Sequence, residues 1–177
     1  MNGSGTIQVV KRDGSSEPFN SCKLTSAILR VAGKRLKTGQ IHYLSDAVLF
    51  YISRSGSSCA STSAIFEMCV KMLQYICENQ AAQALQDHRA WRTSRRRNMR
   101  IRHEANMITM WDKSWLAEIA SRSWHISPRT ARIIAAEVEI ILLNDDANMI
   151  DRETVIDILN EQVAAFGLAD AVPAKQN

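Results

Sequence analysis

The chain has 177 residues, 46% of them hydrophobic but only 6% aromatic, and a net charge of +4. That composition supports an aliphatic core in one domain or two small ones. It excludes a helical membrane span, because no window approaches roughly eighteen uninterrupted apolar residues. The opening Met1-Asn2-Gly3-Ser4-Gly5 lacks the apolar stretch of a secretory signal.

Residues 7–11 and 15–19 read as two strands joined at Asp13-Gly14. Asp-Gly is a strong hairpin signal, because a type I′ turn needs positive φ at both central positions. Lys11 and Arg12 therefore stand beside the tip of a β-ribbon. Asn20 or Ser21 caps a helix over about 21–36, with Leu24, Ala27, Ile28 and Val31 at helical spacing. Thr38-Gly39 breaks it. Ser45 caps a second helix through Ala47, Val48, Tyr51 and Ile52, and Ser55-Gly56-Ser57-Ser58 is a loop. A third helix runs from about Ser63, with Ile65, Phe66, Cys69, Val70, Leu73, Ile76 and Cys77 on one face. A fourth begins near Gln80 and enters a basic segment.

That segment decides the charge balance. Arg89, Arg92, Arg95, Arg96, Arg97, Arg100 and Arg102 lie between His88 and His103 with no acid among them. Without them the net charge changes sign. If the helix continues, Arg89, Arg92, Arg96 and Arg100 form one stripe. Three readings of Arg95, Arg96, Arg97, Arg100 and Arg102 compete: a solvated helix face, a contact to nucleic-acid phosphates, and a dock for an acidic partner.

The second half reads as all helix. Trp111, Trp115 and Ile119 share a face. Ser127-Pro128 is an N-cap followed by Pro at the first helical position. The helix beyond carries Ala131, Ile134, Ala135, Val138, Ile141 and Leu142, and Asn144-Asp145-Asp146 ends it. Asp151 caps a last helix with Val155, Ile158, Leu159, Val163 and Phe166, stopped by Gly167 at C′. The final residues read as a loose tail. The two halves invite comparison as a diverged repeat, with Ser45-Asp46-Ala47 set against Ser127-Pro128-Arg129-Thr130-Ala131. The competing explanation, that two helical bundles look alike by chance, stays open.

The pattern Val9-x-Lys11-Arg12-Asp13-Gly14-x-x-Glu17-x-Phe19, followed by Lys23-Leu24 and Ala27-Ile28, resembles the opening of the ATP-cone domain. That family is the adenine-nucleotide-sensing module of ribonucleotide reductase large subunits and of the transcriptional repressor of their genes. The likeness extends to about residue 97. It implies a hairpin over four helices, with Val9, Lys11, Arg12, Glu17, Asn20, Lys23 and Leu24 lining a nucleotide site and Thr62 on its adenine side. The family's Tyr-Arg-x-x-Arg pattern is matched by His88-Arg89-Ala90-Trp91-Arg92, so Arg89 and Arg92 are expected to help close that site. The repressor branch carries a zinc ribbon before the cone. Here Cys22, Cys59, Cys69 and Cys77 include no Cys-x-x-Cys pair and read as reduced thiols of a cytoplasmic protein.

Chemically, a triphosphate needs cations, and Arg offers a bidentate fork where Lys offers a point charge. Catalysis finds no support: His42, His88, His103 and His125 are scattered, and no nucleophilic triad, metal-spaced cluster or Walker loop is present. The expected fold is mainly α (α+β), an N-terminal β-hairpin over a four-helix bundle followed by a second all-helical bundle. The boundaries are 1–97 for the cone, 98–168 for the helical bundle, which as a relic cone would lack the hairpin lid, and 169–177 for the tail. The expected function is regulatory and non-catalytic: ATP or dATP, accompanied by Mg2+, acts as effector and shifts a homo-oligomer or a partner contact. Tryptophans 111, 115 and 124 are the apolar surface such an oligomer would cover. Ribonucleotide reductase or nucleic acid is the target class, and no membrane is involved. The alternatives are a nucleic-acid-binding regulator built on Arg89–Arg102, or a structural oligomer that has lost its nucleotide.

Overall fold

The computed structural model describes residues 7–11, 14–145 and 147–168. Arg12, Asp13, Asp146 and the 169–177 tail, each named above, lie outside the described residues. The contacts divide the chain into two units, Met1–Ala90 and Trp91–Asn177, a few residues before the expected boundary at 97/98.

In the first unit β1 (Gln8–Val10) and β2 (Ser16–Pro18) form the expected hairpin, paired antiparallel with Val9 opposite Glu17. Gly14 has φ +79°, but its N–H donates to the Lys11 carbonyl oxygen at 3.1 Å and the Lys11 N–H to the Ser15 carbonyl oxygen at 2.8 Å, so the loop is longer than the expected two-residue type I′ turn and Gly14 ends it. α1 (Ser21–Ala32) is capped by Asn20, whose Oδ1 accepts from the Lys23 N–H at 3.1 Å. α2 (Thr38–Arg54), with Lys37 as its N-cap, then starts eight residues earlier than the sequence suggested. Thr38-Gly39 opens this helix and does not end the previous one, and Ser45 is no cap. Ser45 is buried mid-helix, where its Oγ donates to the Ser21 carbonyl oxygen at 3.3 Å. An unannounced third strand, β3 (Cys59–Ser61), pairs parallel with β1. Then come α3 (Thr62–Tyr75) and α4 (Asn79–Asn98), whose last turns belong to the second unit. Ile28, Ile41, Val48, Ile52, Val70 and Leu73 form the core of the first unit.

The second unit is not all-helical. β4 (Arg100–Arg102) pairs antiparallel with β5 (Ile108–Met110) and parallel with β6 (Met149–Asp151). The strand order β5-β4-β6 repeats β2-β1-β3 of the first unit. α5 (Lys113–Ser123) and α6 (Pro128–Asn144) precede β6, and α7 (Arg152–Ala165) follows it. Five residues join the hairpin strands in both units, two link hairpin to helix, and four separate the second helix from the third strand. The halves are a structural repeat. Its register pairs Ser127 with Lys37, the two N-caps, and not with Ser45. Both third helices end in the same way, with Cys77 (φ +63°) and Gly167 (φ +70°) at C′ and matching bonds back to Gln74 and Ala164.

The predicted arginine stripe breaks at Asn98: Arg100 and Arg102 lie on β4, not on a helix. Trp111 lies between β5 and α5, and Trp111 and Trp124 are buried in the second core with Trp115 packed against it. The tryptophans are therefore core, not the apolar surface expected for an oligomer. One buried charge stands among them. Glu139 is 1% exposed. It accepts from Arg92 Nη2 at 2.9 Å, from Arg96 Nε at 2.8 Å and from Trp111 Nε1 at 3.1 Å. Burial pushes its carboxyl up, but Arg96, assisted by Lys113 and Trp111, outweighs that and holds it below the usual range.

Glu139→Ala strips two arginines of their acid and is expected to cost about 3 kcal/mol of unfolding free energy, measured by denaturant titration. The pH dependence has a defined direction. The unfolded carboxyl titrates near about 4.3 and the folded one lower, so its contribution is complete above that pH and is lost as pH falls toward the folded value. Below about pH 4.3 the wild-type thermal midpoint is therefore expected to fall more steeply than that of Glu139→Gln.

Candidate functional site

Alternation along β1 sets the side on which each residue stands. Val9 is buried inward, so Lys11 shares its side and Val10 stands on the other. Glu17, opposite Val9, shares that inward side as well. Its Oε2 accepts from Lys11 Nζ at 2.9 Å and from Lys23 Nζ, in the first turn of α1, at 3.0 Å. Burial pushes the Glu17 carboxyl up, but the hydrogen bonds and charges of Lys11 and Lys23 overcome it, and the group titrates below its ordinary value. Two ammonium groups are thus gathered around one carboxylate under the hairpin.

The parallel pairing of β1 with β3 supplies the other wall. Val10 lies opposite Ser61, so the next residues along, Lys11 and Thr62, run side by side where α3 begins. Ser61 is the N-cap of α3, its Oγ accepting from the Ala64 N–H at 3.0 Å. Thr62 is the exposed first residue of that helix and not the cap. A helix N-terminus presents unpaired N–H groups and the positive end of the dipole. Arg89 adds a third cation at this end: Nη2 donates to Ser63 Oγ at 2.8 Å, and the guanidinium stacks 4.3 Å from the Phe66 ring. Leu24 packs against the first core at the base.

Residues 7–97, just over half of the chain, match the model of the ATP cone domain. The chain belongs to the ATP-cone family. A comparison with curated proteins gives no match. The ATP-cone is a regulatory, non-catalytic module, and no group of three or more metal-ligating side chains occurs among the described residues. None of the described helices is long and apolar enough to cross a membrane.

Of the positions anticipated in this ATP-cone, Val9, Lys11, Glu17, Asn20, Lys23, Leu24, Thr62 and Arg89 all fall in the first unit, around the hairpin, the first turn of α1 and the start of α3. Arg92 does not join them: it lies in the second unit, bonded to Glu139. The remaining arginines are mostly engaged too. Arg96 pairs with Glu139, and Arg95 donates to Asn148 Oδ1 at 3.0 Å and to the Asp145 carbonyl oxygen. Arg102 grips Asp151 at 2.6 and 2.9 Å. Arg100 donates to the carbonyl oxygens of Arg97 and Met99, and Arg97 is exposed. This much structural commitment leaves little of the basic run for a nucleic-acid footprint.

The second unit builds the same corner from different chemistry. His103 stands where Lys11 does and bonds Thr109, at the place of Glu17, at 2.7 Å. Trp115 takes the place of Lys23 and meets the His103 ring edge-on, with centroids 5.8 Å apart. A cavity of about 280 Å³ beside them is lined by Arg102, His103, Asp151, Arg152 and Glu153. A larger apolar groove of about 830 Å³ between α2 and α3, lined by Tyr43, Tyr51, Met68, Met72 and Tyr75, includes none of the anticipated positions. Sequence reading missed Ser61 and Ser63, although a Ser just ahead of an apolar-periodic run is a candidate N-cap. Ser61→Ala is expected to lower stability by about 1 kcal/mol, read as a lower urea midpoint with an unchanged slope.

Proposed function

We propose that the first unit binds ATP or dATP, with Mg2+ as companion ion, and that occupancy regulates the protein without catalysis. The observation that carries this reading is the register of β1 against β3, which sets Lys11 beside the start of α3. The phosphates would take Lys11, Arg12, Lys23 and the α3 N–H groups, with Arg89 leaving Ser63 to close over them. In that event Glu17 gives up its lysines and accepts from the ribose hydroxyls. Asn20 stays as the α1 cap, Thr62 faces the base, and Val9 and Leu24 form the apolar floor. Magnesium would neutralise charge between phosphate oxygens and needs few protein ligands of its own.

The second unit enters this reading as a cone without a nucleotide. His103, Thr109 and Trp115 replace the two lysines and the carboxylate; His103 bonds Thr109 and meets the Trp115 ring edge-on. The most economical target of regulation is the state of association of the chain, or a reductase-type partner, shifted by the difference in nucleotide affinity between two states.

Calorimetric titration with ATP, dATP, ADP and GTP tests the proposal. One adenine triphosphate per chain is expected, with GTP weaker. Each lost charge-assisted bond is worth about 1.5–3 kcal/mol, so Lys11→Ala, Lys23→Ala and Arg12→Ala should each weaken binding by about tenfold or more. His103→Ala should leave it unchanged. Equal heats in wild type and Lys11→Ala would put the ligand elsewhere.

A further inference from the structure

The two sheets share strands and register, so their outer faces can be compared place by place. In the first unit the outward positions are Gln8, Val10, Ser16, Pro18, Cys59 and Ser61. In the second they are Arg100, Arg102, Ile108, Met110, Met149 and Asp151. Two rows cross that face: Met110–Arg100–Met149 and Ile108–Arg102–Asp151. Ile108, Met110 and Met149 are 52%, 59% and 41% exposed.

The fold does not explain these side chains, because the first unit builds the same places with the smaller Ser16, Pro18 and Cys59. Single exposed apolar residues need no explanation, whereas several on one face, here Ile108 and Met110 on one edge strand and Met149 on the other, mark a contact surface. Methionine suits such a surface, since its flexible thioether adapts to the shape of a partner. Charge narrows the partner. Arg100 stands between Met110 and Met149 and pairs with no acid among the described residues; its guanidinium is held by two carbonyl oxygens of the α4 end.

We propose that the outer face of the β5-β4-β6 sheet docks an acidic amphipathic helix of another protein. Its apolar stripe covers Ile108, Met110 and Met149, and a carboxylate at the stripe's edge meets Arg100. Laying a helix on a sheet face is the ordinary way to cover both. The site is independent of the nucleotide corner of the first unit, so either reading can fail alone.

The probe is a short fluorescent helical peptide with a leucine face bordered by glutamates, titrated into the full chain by anisotropy. Saturable binding is expected. Ile108→Ser/Met110→Ser, which removes two exposed apolar side chains, should weaken it by about tenfold or more. Arg100→Glu should reverse the preference toward the same peptide with lysines bordering the leucines. Circular dichroism of each variant verifies the fold, and Leu29→Ser, an exposed site in the first unit, should bind as wild type. Equal binding of both peptides to wild type, or no loss in the double variant, overturns the proposal. So does retention on phosphatidylserine vesicles that the double variant abolishes, or a dimer in wild type that the double variant dissociates.

Discussion

The parallel pairing of β1 with β3 is the constraint on which the site rests. The hairpin alone would hold Lys11 and Glu17 at neighbouring places on a ribbon, but a two-stranded hairpin is marginal in water. Adding β3 does two things at once. It completes a three-stranded sheet, and because α3 follows β3 without an intervening residue, it fixes a helix N-terminus against the end of β1. The same pairing obliges two helices, α1 and α2, to cross between the strands, and those helices bring the core with them. Lys23 then reaches Glu17 because α1 begins two residues after β2, with Asn20 as its cap. Fold and site are therefore one solution: the chain cannot bury Val9 and Ala60 in this register without also delivering Lys11 to the first turn of α3.

The second unit meets the same constraint and spends it differently. Where the first unit has Leu49 on its second helix, the second has Glu139, and a buried carboxylate demands partners. Arg92, Arg96 and Trp111 provide them, from α4 and from the turn before α5. The arginine run is consequently an internal device more than a surface one. It ties the last turns of α4 to α6 through Glu139, and the β4 strand to the start of α7 through Arg102 and Asp151. That last pair also explains why Asp151 makes no side-chain cap bond at its own helix: its oxygens are committed to a guanidinium.

How much of this was legible follows from which signals are local. The first hairpin was readable because Asp-Gly announces its turn. The second was not: its turn places Ala105 and Asn106 at positive φ, a conformation alanine rarely adopts and no sequence rule would assign to it. Arg100-Ile101-Arg102 does alternate, but within a basic run it reads as the tail of a helix. The third strand of each sheet is only three residues long and depends on a partner half a unit away, so nothing in its own composition marks it. Ser45 misled because a serine before Asp and an apolar run resembles a cap. Its hydroxyl instead serves the Ser21 carbonyl across two helices, a tertiary demand invisible to local pattern. The Lys11–Glu17–Lys23 cluster was anticipated as a set of positions, yet the bridging role of Glu17 needed the register of β1 against β2.

The repeat turns these misses into evidence about what the fold itself requires. Places alike in both units, such as Val9 and Ile101, Leu24 and Leu116, or Leu73 and Val163, are apolar because the core demands it. Places that differ are released from that demand, and their chemistry needs another cause. Lys11, Glu17 and Lys23 are charged where His103, Thr109 and Trp115 are not, although both sets occupy the same corner under the same hairpin. A corner that can be closed stably by a histidine edge on a tryptophan does not need two lysines around a carboxylate for folding. Their presence in the first unit is therefore not a demand of the fold, and the groups gathered there, two ammoniums, a guanidinium and a helix N-terminus, suit an anion.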